Sequence, residues 1–128
     1  MKVKILRVVE SSSHEALVAF STACGGGLSR FCGFVPEINQ SYDVELNLDD
    51  DFRWGENLKP STLRAPMMCM NSGALHITAR LVAGEGEGSA VLELDGAVIL
   101  ISLDQVVNGS PFFVDVLVHQ STLYPSGV

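Results

Sequence analysis

Tyr42-Asp43-Val44-Glu45-Leu46-Asn47-Leu48-Asp49 is the stretch that decides the fold. Tyr42, Val44, Leu46 and Leu48 are apolar, and the residues between them, Asp43, Glu45, Asn47 and Asp49, are acidic or amide. Successive side chains of an extended strand point to opposite faces, so this period of two puts one face on a core and the other in water. The same alternation returns in Leu75, Ile77, Ala79 and Leu81 against His76, Thr78 and Arg80. It returns again in Phe112, Val114, Val116 and Val118 against Phe113, Asp115, Leu117 and His119, where the partly apolar outer set predicts cover on both faces.

The connections agree with a β chain. Lys2–Val9 and His14–Phe20 read as antiparallel neighbours joined through Glu10 and three serines. Asp95-Gly96, between Val91–Leu94 and Ala97–Ile101, suits a tight turn with positive φ at both central positions. Asn108-Gly109 with Pro111 marks a second turn, and Gly84-Glu85-Gly86-Glu87-Gly88 a third connection. Gly25-Gly26-Gly27, within Ala23–Gly27, is expected as a flexible loop or a sharply bent crossing. Trp54–Gly73, broken by Pro60 and Pro66, is expected as an ordered loop across a barrel end with one helical turn from Ser61.

Short strands without an amphipathic helix predict an all-β chain: one domain over 1–128, an antiparallel β-barrel or barrel-like sandwich of about seven to eight strands. A chain of 128 residues buries roughly two-thirds of its unfolded surface, enough for one core. The strand order, the excursion at 55–73 and the hairpin after it resemble the OB-fold layout, with Tyr42–Leu46 followed by Trp54-Gly55 as one of its bent strands. OB folds bind oligonucleotides on a basic, aromatic groove, and this chain departs from that pattern by its acidity.

Eight Lys plus Arg against 15 Asp plus Glu give a net charge of −7, which argues against nucleic acid and anionic membranes as partners. No export signal or apolar run of membrane-spanning length is read, and three cysteines, Cys24, Cys32 and Cys69, are an odd number, so reduced thiols and a cytoplasmic location are expected. A Cys24–Cys32 disulfide requires the segments flanking a turn to pair.

Catalytic constellations are thin. His14, His76 and His119 lie on or beside alternating strands, and a metal site from His14-Glu15 plus a cysteine needs two strands to converge. Cys24 precedes three glycines whose amides suit a thiolate, yet no local base accompanies it. The glycines lack the Lys-Ser or Lys-Thr of a phosphate loop, and Asp49-Asp50-Asp51 lacks the spacing of a calcium loop. No catalytic residue, metal or cofactor is assigned.

Charge is concentrated instead. Residues 43–56 hold Asp43, Glu45, Asp49, Asp50, Asp51 and Glu56 against Arg53 alone, and Glu85, Glu87, Glu93 and Asp95 follow in 84–95. Phe52 and Trp54 lie inside the first cluster, and aromatic anchors beside carboxylates describe a surface for a basic protein. The expected site is therefore Asp43, Glu45, Asp49, Asp50, Asp51, Phe52, Trp54 and Glu56. In size, charge and lack of catalytic residues the chain resembles the bacterial immunity proteins that neutralise nuclease toxins, where carboxylates take the place of substrate phosphates. The resemblance implies a non-enzymatic inhibitor of a basic partner. Two alternatives stand beside it: a barrel holding a small apolar ligand against Met67, Met68 and Met70, and a homo-oligomeric module paired through the uncharged run Val98–Leu103.

Overall fold

The computed structural model describes residues 1–84, 88–107, 109 and 111–126, and among them there is no helix. Twelve strands follow one another: β1 (Lys2–Ser11), β2 (Glu15–Thr22), β3 (Gly25–Cys32), β4 (Ser41–Leu48), β5 (Asp51–Phe52), β6 (Leu58–Pro60), β7 (Met67–Asn71), β8 (Ala74–Gly84), β9 (Ser89–Leu94), β10 (Ala97–Leu103), β11 (Phe112–Val118) and β12 (Ser121–Pro125).

Five of them close a barrel. β1 pairs antiparallel with β2 and β4, β2 with β3, and β12 pairs antiparallel with β4 and parallel with β3, completing the circuit β1-β2-β3-β12-β4. Two register shifts in β1, between Ile5 and Arg7 and between Val8 and Glu10, insert extra residues that bend the strand around the barrel. The alternation read from the sequence fills the interior: Val3, Ile5, Val18, Phe20, Phe31, Val44, Leu46, Leu48 and Leu123 are all buried.

The remaining strands pack outside. β8 carries β7 and then β9 along one edge and β11 along the other; β11 continues to β6, and β9 to β10 and β5. The isolated bridge Trp54–Leu58 draws the two ends of this second arrangement together.

Two expected loops are strands. Gly25, Gly26 and Gly27 begin β3, and the reason for three glycines is proximity: a Cβ at Gly25 would lie 2.0 Å from the Met68 carbonyl oxygen, and one at Gly26 2.1 Å from that of Phe20. The bare backbone lets β7 lie against the barrel, with the Met68 amide donating to the Cys24 carbonyl at 3.0 Å. Trp54–Gly73 contains β6 and β7 and no helical turn, because Leu58 and Met68 are core residues that hold both segments extended. These strands, with the short β5, raise the number from the seven or eight expected to twelve.

Cys24 and Cys32 lie just before and at the end of an extended β3, roughly 25 Å apart by strand rise, so they cannot bridge. All three cysteines are free. Asp95-Gly96 does turn with φ of 48° and 86°, as its hairpin requires. Glu85 to Glu87 of the glycine-rich connection, and Asn108 of the second turn signal, lie outside the described residues. Among the described residues no helix is long and apolar enough to cross a membrane.

Candidate functional site

β4 presents its wet face outward because its dry face is fixed in the barrel. Asp43, Glu45, Asn47 and Asp49 are all exposed, a line of roughly 20 Å along one strand. Their neighbours are set by register. Asp43 faces Lys2 of β1, Glu45 faces Tyr124 of β12, and Asn47 faces Thr122. Asp49 is tied down, since its Oδ2 accepts from Thr122 Oγ1 at 3.0 Å. Asp51 is exposed at the start of β5, with Ser102 of β10 beside it, and Arg53 is exposed two residues further on.

The remaining expected residues have other roles. Asp50 turns its carboxylate onto the β11–β12 turn, accepting from the His119 amide at 3.1 Å to each oxygen and from the Gln120 amide at 2.8 Å. Phe52, expected as an anchor for a partner, is corrected to a core residue at 1% exposure. Trp54 is half-buried, edge-on to Phe112 at 6.1 Å, and its amide donates to Asp104 Oδ1. Glu56 is exposed at the lip of a separate groove beside β11 and β6. Asp43, Glu45 and Asp49 therefore share the outward face of β4 and Asp51 is exposed two residues beyond, while Phe52 is buried, Asp50 and Trp54 are engaged in contacts of their own, and Glu56 lines another groove.

Three exposed apolar residues accompany these carboxylates, Tyr124 directly across from Glu45 and two on β10, the strand that pairs with Asp51. Tyr124 is 43% exposed opposite Glu45, and on β10 Leu100 and Val98 follow Ser102 on the outward face at 65% and 74% exposure. Nothing in Val98-Ile99-Leu100-Ile101 distinguishes inner from outer positions, because both are aliphatic. β10 pairs with β9 along its length but with β5 only at Ser102 and Leu103.

The other acidic segment is dispersed. Glu93 pairs with Arg80 at 3.5 Å, Asp95 sits at the hairpin turn, and Glu85 and Glu87 lie outside the described residues. The methionines are also dispersed: Met68 is in the core, Met70 lies against Gly27, and Met67 opens onto the groove beside β11.

Glu15 does converge with a cysteine across β2 and β3, accepting from Cys32 Sγ at 3.7 Å, but Arg30 also pairs with that carboxylate and holds its pKa below the ordinary value. Among the described residues no three His, Cys, Asp or Glu form a metal-holding group. Burial raises the Cys24 thiol, and Asp95 raises it further. Burial also raises Cys32, against the pull of Arg30. Both thiols are thereby held in the protonated, less nucleophilic form.

The described fold defines an all-β barrel protein with further strands packed outside. No protein-family model matches the chain, and comparisons with curated proteins and with solved structures give no significant match.

Proposed function

We propose that the chain is a non-enzymatic protein-binding module, an OB-like barrel whose acidic β4 face occupies the basic site of another protein, a nuclease toxin being the kind of target this chemistry suits. One observation carries the reading: Asp43, Glu45, Asp49 and Asp51 are outward and exposed, with Tyr124 exposed opposite Glu45 and Leu100 and Val98 exposed on the strand whose Ser102 faces Asp51. Carboxylates steer a cationic partner, and the apolar residues supply contact area that loses water on docking. The five-strand circuit with its parallel β3–β12 pair supports the OB-like description. The outward face of β2 and β3 favours a protein over an oligonucleotide, because its Arg30 is paired with Glu15. Free thiols fit a reducing compartment such as the cytoplasm.

The test is capture from a lysate of the source organism, followed by titration of the purified partner at low and high salt. Wild type and the double variant Glu45→Lys, Asp51→Lys are compared, both positions being free of side-chain hydrogen bonds among the described residues. A basic partner whose affinity falls at least about tenfold in the variant, and falls steeply with salt, is the expected result. Equal capture by both proteins refutes the acidic face as the interface.

A further inference from the structure

A second surface, away from the β4 face, brings together donors of a different chemistry. β7 and β8 are joined by a two-residue turn, Ser72-Gly73, with φ of 53° and 78°, which fixes the register Met67↔Thr78, Cys69↔His76 and Asn71↔Ala74. Met68 points into the core, so Met67 and Cys69, two residues apart on one strand, share the outer face. Residues opposite each other in an antiparallel pair also share a face, so His76 joins them. Met67, Cys69 and His76 are each half-buried and line the same groove of about 410 Å³. Among the described residues none of the three side chains has a hydrogen-bond or ion-pair partner.

We infer that Met67, Cys69 and His76 form a binding site for a soft monovalent metal ion, copper(I) in chemical class. Thiolate and imidazole exclude the hard cations but suit both zinc and copper, and the Met67 thioether is the donor that favours the softer ion. Reach permits it: directly opposed Cβ atoms lie ~5 Å apart and diagonal ones ~7 Å. Metal–sulfur and metal–nitrogen bonds of ~2.0–2.3 Å on side chains of this length span those gaps without moving the backbone. Two carboxylates share the groove: Asp115 Oδ1 accepts from Thr78 Oγ1 at 2.7 Å, with Thr78 1% exposed, and Glu56 is exposed at the lip, so the soft donors are those carried by β7 and β8 themselves. Binding replaces the Cys69 thiol proton: the S–H bond breaks, a sulfur–copper bond forms, the proton leaves to solvent, and no electron is transferred.

The experiment titrates the full chain with copper(I) against a chromophoric copper(I) chelator under anaerobic conditions, with silver(I) as a redox-inert second probe. The proteins are wild type, Cys24→Ser with Cys32→Ser, Cys69→Ser, Met67→Leu and His76→Gln, all first verified as folded by circular dichroism. One equivalent bound by wild type and by the Cys24, Cys32 double variant is expected, with loss of that equivalent in Cys69→Ser and an affinity at least about tenfold weaker in each of Met67→Leu and His76→Gln. X-ray absorption of the copper(I) form should show sulfur and nitrogen ligands together. The inference is overturned if wild type binds no equivalent, or if the equivalent disappears with Cys24 and Cys32, survives in Cys69→Ser, or is unchanged in either Met67→Leu or His76→Gln. None of these residues lies on the β4 face, so either result leaves the protein-binding proposal to its own test.

Discussion

Asp50→Ala is the perturbation that separates structural from surface acidity. Two backbone amides, those of His119 and Gln120, donate to the Asp50 carboxylate, and they hold the turn that delivers β12 to its place between β3 and β4. A hydrogen bond to a charged group contributes ~1.5–3 kcal/mol, and a half-buried site lets water replace part of it, so losing two should cost about 2–3 kcal/mol. For a domain of this size that corresponds to a melting point lower by roughly 8–12 °C. Asp51→Ala is the control, since its side chain has no partner among the described residues, and it should stay within about 0.5 kcal/mol of wild type. Asp50→Asn keeps one acceptor oxygen and should fall between the two. The assay is urea and thermal unfolding followed by circular dichroism, with unchanged m-values required for the comparison. If Asp50→Ala unfolds with Asp51→Ala, the carboxylate is not holding the turn.

Three further outcomes are expected. Phe52→Ala should cost about 3–5 kcal/mol, the range for emptying a buried phenylalanine site, and a loss under 1 kcal/mol in the same unfolding assay would return Phe52 to the surface. Glu15 should titrate in the folded chain below its value in Arg30→Ala; a carboxylate lowered on folding stabilises at higher pH and loses that contribution as pH falls through the folded value, so added salt should shrink the difference in an NMR titration. Cys24 should alkylate slowly at mildly alkaline pH because burial and then Asp95 raise its thiol, and Asp95→Asn should accelerate the reaction; equal rates measured by mass spectrometry would remove Asp95 as a cause.

Period-two alternation was enough to read β4, β8 and β11, because each has one face on a core made by distant strands and the same residues are apolar whatever those strands are. The hairpin at Asp95-Gly96 was legible for a local reason, the positive φ that the turn demands. Gly25–Gly27 was not, since glycine signals missing side chains equally in a loop and in a strand crowded by another backbone. The site shows the same division. Alternation places Asp43, Glu45 and Asp49 outward, but it ends with β4, so it gives neither the burial of Phe52 nor the use of the Asp50 carboxylate by the β11–β12 turn. Tyr124 and Leu100 entered the surface through pairings between segments far apart in the chain.

The parallel pairing of β3 with β12 has a consequence for the order of events during synthesis. β1 to β3 emerge first and form their local hairpins and β4 returns to pair with β1, yet the fifth wall of the barrel is encoded after the whole external sheet. Until Ser121–Pro125 arrives, the facing edges of β3 and β4 lie open, each able to recruit a strand from a neighbouring nascent chain. Barrel closure joins strands separated in the chain by the whole external sheet, so a chain cut before Ser121 presents two open strand edges, a template for misassembly instead of a slightly shortened barrel.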